Sequence, residues 1–120
     1  MTKVRVIPPG HGEKVELPGN SWSLQMVNAN TAGSTRAMLG ISTFTPGFCS
    51  DPMIHEEEEM CYVLQGEGCL HVGEETVEYR AGEAVFIPVG VPHAVHNTGS
   101  KDVVMVFVFS SPLYPPTKKL

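Results

Sequence analysis

The chain has 120 residues, 42% of them hydrophobic, which is enough for one core and too few for two. Its 13 acidic residues against 8 Lys and Arg give a formal charge of −5 with no basic cluster beyond Lys118-Lys119, which argues against a nucleic-acid partner. The N-terminal stretch has no apolar signal-like region, and the longest apolar run, residues 103–109, is far short of a membrane span.

Read in order, the chain is a series of short strand-like runs. With 12 Gly and 10 Pro scattered through it, no window keeps an apolar i, i+3, i+4, i+7 pattern for three turns. Residues 3–7 are expected as an edge strand stopped by Pro8-Pro9-Gly10, and residues 14–17 as a second strand ended by Pro18-Gly19-Asn20. Residues 22–27 alternate Trp22, Leu24 and Met26 against Ser23, Gln25 and Val27, a strand with one face inward. Residues 28–34 read as a loop, 36–45 as a long strand, and 53–55 as a short strand after Asp51-Pro52. Residues 59–64 and 69–72 are expected to pair as a hairpin through Gln65-Gly66-Glu67-Gly68. Strands are expected next at 76–79, 84–87, 92–96 and 103–109, the last apolar enough to be covered on both faces. The proline-bearing tail, 111–120, is expected to wrap extended or fray. Regular short strands of this kind make an all-β sandwich or barrel, one domain over residues 1–120.

The chemistry concentrates in two stretches, 47–66 and 82–97. Strand parity puts Met53 with His55, Glu59 with Cys61 and Val63, and His93 with Val95 and Asn97. If those faces all turn into one barrel, His55, Glu59 and His93 meet. Two imidazoles and a carboxylate form a facial set with open positions for a divalent iron, manganese, nickel, cobalt or zinc ion. The alternative is a polar core feature in which Glu59 satisfies itself by hydrogen bonds. Glu56, Glu57 and Glu58 are read as solvated acids at the rim, and His11, His71 and His96 as lying outside the pocket. Candidates for the pocket lining are Cys61, Met26, Met38 and Phe107, with Trp22 beside them. The odd set of Cys49, Cys61 and Cys69 reads as free, buried or half-buried thiols in a reducing cytoplasm. No nucleophile elbow or phosphate-cradling Gly loop is present.

The spacing resembles the two signature motifs of the cupin superfamily, G-x5-H-x-H-x3-E-x6-G and G-x5-P-x-G-x2-H-x3-N. The first falls on Gly47, Met53, His55, Glu59 and Gly66, the second on Gly82, Pro88, Gly90, His93 and Asn97. The resemblance implies a double-stranded β-helix, or jelly-roll barrel, and a metal held by His55, Glu59 and His93. Met53 stands where the family's first histidine would be, as a weak thioether ligand or an apolar wall. The resemblance further implies a divalent-metal-dependent enzyme on a small oxygenated metabolite. Dioxygenase-like chemistry is favoured, with Lewis-acid decarboxylation, isomerisation or lyase chemistry next. The alternative is a non-catalytic module that binds or senses a small ligand. A homodimer, joined by sheet augmentation through N-terminal strands, is implied by the same resemblance.

Overall fold

A computed structural model describes residues 3–120. Its strands are β1 (Glu13–Glu16), β2 (Trp22–Val27), β3 (Met38–Phe44), β4 (Met53–His55), β5 (Glu59–Gln65), β6 (Glu67–Val72), β7 (Glu75–Arg80), β8 (Ala84–Ile87), β9 (Ala94–His96), β10 (Val103–Phe109) and β11 (Thr117–Lys119). One layer is a six-stranded antiparallel sheet ordered β1-β2-β3-β10-β5-β8. The other contains β7-β6-β9 and β11-β4, tied by single backbone bridges from Met53 to His93 and from Cys49 to His96. The two layers face each other as the expected jelly roll. Their inner rows close the core: Val103, Met105, Phe107 and Phe109 of β10 with Met38, Phe44, Cys61, Val63, Leu70 and Ile87. Among the described residues, no helix is long and apolar enough to cross a membrane.

Several expectations fail for identifiable reasons. Residues 3–7 pair with nothing in the chain and form no strand; Val4 and Val6 stand almost fully exposed. Residues 28–34 are not simply a loop. Asn28 accepts from the N–H groups of Asn30 and Thr31, while Thr31 Oγ1 accepts from the Asn28 N–H. That reciprocal cap builds the single turn α1 (Ala29–Ala32). β5 and β6 do not form a hairpin: β5 pairs with β10 and β8, and β6 with β7 and β9, so the chain changes layers at Gly66. Gly66 has φ +88°, and a Cβ there would lie 2.8 Å from the Asp102 carbonyl oxygen, so the crossing requires glycine. Within the chain β10 is buried on one face, and Val104, Val106 and Val108 on its other face are half-exposed. Of the two readings of the tail, the extended wrap holds, because β11 pairs antiparallel with β4.

Asn97 is a latch rather than a pocket group. Fully buried, its Nδ2 donates to the carbonyls of Phe44 (2.8 Å) and Lys101 (2.9 Å), and its Oδ1 accepts from the Gly99 N–H (3.0 Å). Replacing it leaves buried backbone groups without partners, which costs ~1–3 kcal/mol. Asn97→Ala is therefore expected to lower the unfolding free energy by that amount, read as a lower urea midpoint at an unchanged slope. An unmoved midpoint would show that the latch carries no stability.

Candidate metal centre

The site is assembled by one bridge and one crossing. Met53 N–H donates to the His93 carbonyl (2.9 Å) and His93 N–H to the Met53 carbonyl (3.0 Å), fixing the register of β4 beside the strand that carries His93. Alternation along β4 then turns Met53 and His55 to the same, inner side. After His55 the chain passes through Glu56–Glu58 into the opposite layer, where Glu59 opens β5 and faces back across the barrel. Glu59 Oε1 lies 3.5 Å from His55 Nε2 and 3.7 Å from His93 Nε2, and the two imidazole centroids are 5.0 Å apart. Both histidines are buried.

The hydrogen bonds settle which ring nitrogens are bare. His93 Nδ1 lies 3.0 Å from the Val91 carbonyl oxygen, which only accepts, so Nδ1 carries the hydrogen. His55 Nδ1 lies 2.8 Å from Thr117 Oγ1, whose own hydrogen is given to the Pro115 carbonyl, so His55 Nδ1 donates too. In the neutral imidazoles both Nε2 lone pairs therefore point at the Glu59 carboxylate. Burial, and then the neighbouring His93, hold His55 down to about 4, so it is neutral at ordinary pH. Burial pushes Glu59 up to about 7, against a smaller lowering by the Cys61 hydrogen bond. Three lone-pair donors aimed at one spot repel unless a proton or a cation lies between them. His55, Glu59 and His93 fit a divalent ion, and each imidazole has the outer hydrogen-bond partner typical of a metal-bound histidine.

The cavity around these donors is small, about 130 Å³, walled by Leu17, Phe44, Phe48, Val95, Phe107 and Phe109, with Met53 beside the histidines. Tyr114 stands edge-on to the His55 ring at 5.7 Å and to Phe109 at 5.1 Å. Of the lining expected from the sequence, Phe107 is present. Met38 and Cys61 are closed into the core instead. The buried Cys61 thiol, pushed up by desolvation and by Glu59, stays protonated and donates to Glu59 Oε2 (3.4 Å). It is a hydrogen-bond donor, not a reactive thiolate. Met26 and Trp22 are absent because β2 has the opposite parity from the one its apolar residues suggest. Ser23 points inward, bonded to Ser42 Oγ at 2.8 Å, and Trp22 lies on the other face under Lys14. Glu56 and Glu58 are exposed as expected, whereas Glu57 accepts from Ser110 Oγ. Tyr114 and Thr117 belong to the site without any motif to mark them; their one signal is a tail holding Pro112, Pro115 and Pro116, too restrained to fray.

Comparison with known proteins agrees with this fold. A family model for the cupin domain matches residues 40–109. The polyketide synthase CurC of Streptomyces cyaneus is 33% identical over 86 residues, covering 71% of this chain and 55% of that protein. The HTH-type transcriptional regulator PuuR of Escherichia coli (strain K12) is 30% identical over 87 residues, covering 72% and 46%. The chain thus spans about half the length of these curated relatives. Among solved structures, the polyketide cyclase RemF from Streptomyces resistomycificus superposes with a TM-score of 0.83 at 22% identity, covering 98% of this chain and 86% of that one.

The opposed shifts give a pH signature in chelated protein. Glu59, raised from 4.5 to about 7, binds its proton more tightly when folded, so its stability cost is absent below 4.5 and complete above 7. His55, lowered from 6.5 to about 4, costs stability below 4 and nothing above 6.5. Glu59→Gln removes only the first effect. The variant is expected to be more stable than wild type at pH 8, by about a few kcal/mol, with the advantage shrinking towards pH 4.5. Urea unfolding across that range checks it, and a pH-independent difference would refute the burial of an uncompensated carboxylate.

Proposed function

The chain belongs to the cupin family, and on that footing we propose that it is a divalent-metal-dependent enzyme acting on a small oxygenated metabolite. The observation that carries the reading is the convergence of His55 Nε2, His93 Nε2 and Glu59 Oε1 inside an aromatic-walled cavity. A bound ion would supply Lewis-acid polarisation of a carbonyl or enol oxygen. The chain's own residues supply position and exclusion. Phe44, Phe48, Phe107 and Phe109 offer flat apolar faces, and Ser23, Ser42 and Ser50 offer hydroxyls to substrate oxygens. At about 130 Å³ the space approaches the ~150 Å³ cavity that accepts a benzene ring. It suits a single ring, a short diketone, or the reacting end of something longer.

Of the two chemistries that the donor set allows, the non-redox one gains support. Two proteins similar to this chain carry polyketide names, a synthase and a cyclase, and polyketides are rich in carbonyls. A second reading, a ligand-sensing module, rests on Met53 in the fourth ligand position and on the likeness to PuuR, a transcriptional regulator. We also propose a homodimer, because Val4 and Val6 stand exposed and the edge strand β1 is unpaired on its outer side, and a cytoplasmic location, because the three thiols are free. Val4→Glu with Val6→Glu should convert the dimer to monomer in sedimentation, and a monomeric wild type ends that proposal.

Reconstituted with manganese, nickel, zinc or iron(II) and offered cyclic diketones or phenols, the protein is expected to turn over as well under nitrogen as in air. His93→Ala and Glu59→Ala should lose bound metal by elemental analysis, and more activity than the ~100-fold that loss of a histidine's outer partner costs. Met53→His, set by the Met53–His93 bridge beside the site, should tighten metal binding. Stoichiometric dioxygen consumption would replace this reading with the dioxygenase-like one. Ligand-induced stabilisation without metal or product would replace it with the sensing module.

A further inference from the structure

The outer face of β9 carries a second group of donors, separate from the cavity. In the register of the small sheet, Cys69 on β6 pairs with His96 on β9, and His71 lies two residues along β6 from Cys69, on the same face. On the other side of β9, Cys49 bridges to the same His96. Three adjacent backbone segments thus bring Cys49, His96, Cys69 and His71 together. Cys49 Sγ and one ring nitrogen from each histidine all lie within 4.8 Å of one another. His71 Nε2 is 3.0 Å from His96 Nδ1, and Cys69 Sγ is 3.7 Å from His71 Nε2. Cys49 is exposed, the histidines are half-buried and Cys69 is buried, so the cluster opens to solvent on one side. Glu78 of β7 stands opposite Cys69 in register and adds an acid to the rim.

We propose that Cys49, Cys69, His71 and His96 form a second metal site, for zinc or a comparably thiophilic divalent ion, on the outside of the barrel. The donor chemistry selects the ion class. Two thiolates and two imidazoles are the Cys₂His₂ set of tetrahedral structural zinc, whereas the inner site offers nitrogen and carboxylate oxygen. Zinc bonds of about 2.3 Å to sulfur and about 2.0 Å to nitrogen place tetrahedral donors ~3.3–3.8 Å apart. The His71–His96 pair must open by a few tenths of an ångström, and the thiols must close by side-chain rotation. On binding, each thiol releases its proton to solvent, and the hydrogen held between His71 Nε2 and His96 Nδ1 moves through solvent to the other nitrogen of its own ring, leaving two bare nitrogens for the metal. A disulfide does not compete. Cys49 and Cys69 flank β9 from opposite sides, so their backbones are two strand spacings apart, roughly 9–10 Å, beyond the ~7 Å that a disulfide spans. Four protein donors leave no open position, which makes the site a clasp between the 47–50 connector and the small sheet rather than a second catalytic centre.

Anaerobic cobalt(II) titration tests this on the full chain, because only thiolate ligation gives a sulfur-to-cobalt charge-transfer band with intense tetrahedral visible bands. In Glu59→Ala/His93→Ala protein, whose inner site keeps only His55, the band is expected to saturate at about one equivalent and to bleach when zinc is added. Cys49→Ser and His96→Gln, made in the wild-type chain and checked for fold by circular dichroism, should each abolish it. If the double variant does not fold, the band is read on wild type, where loss on Cys49→Ser supports the outer site. Absence of the band, or a band that survives both Cys49→Ser and His96→Gln and so does not need the outer donors, overturns the proposal. Neither outcome bears on the inner site, whose metal is read independently by its dependence on His93.

Discussion

Two imidazole Nε2 atoms, 3.5 and 3.7 Å from one Glu59 carboxylate oxygen inside the barrel, are with their lone pairs bare a repulsive arrangement that a proton or a cation relieves. Left free, the rings would rotate apart. They do not, because Val91 and Thr117 hold the opposite nitrogen of each ring, and the Met53–His93 bridge fixes the strands beneath. Much of the geometry of the two motifs serves this end. Gly66 lets the chain cross between layers after β5, and Asn97 ties the loop after β9 to the end of β3. The energy stored in unneutralised donors is the same energy that a cation recovers on entering. Site strength and apo instability are two sides of one arrangement.

How far the sequence reveals this depends on the range of the contact. His55, Glu59 and His93 are legible because strand parity acts over two residues and the motif spacing places the strands. The inward face of β2 is not, because both alternating sets contain apolar residues, and parity alone cannot choose between Trp22 and Ser23. The β5–β6 crossing escapes local reading for a related reason. Gln65-Gly66 is good turn chemistry, but the partner of each strand is decided elsewhere, by β10 and β9. Thr117 orders His55 from 62 residues away, through β11 pairing with β4, and no local pattern announces such a contact.

The outer cluster is hidden by the same limit. His71 and His96 each look like isolated surface histidines along their own strands, and Cys49 like an unpaired thiol. Only the register that sets Cys69 against His96, with Cys49 on the far side, turns four unrelated residues into one group. Donor clusters built across strands are invisible to spacing rules designed for loops and helices, whose ligands lie within a few residues of each other.

The two donor sets meet at β9, with His93 just before it inside and His96 on it outside, but differ in chemistry, and with both occupied that difference would let one chain sort two ions. Carboxylate and imidazole inside favour harder divalent ions, while thiolate and imidazole outside favour zinc, so neither set is the better ligand for the other's metal. They also share a wall. Ser50, next to Cys49, donates its N–H to the Val95 carbonyl and accepts the Val95 N–H on its Oγ, each at 2.9 Å, and both Ser50 and Val95 line the inner cavity. A clasp that pins Cys49 against His96 therefore pins the adjoining residue of the pocket wall. Metal outside would stiffen the surface against which substrate packs inside, without touching a single inner ligand.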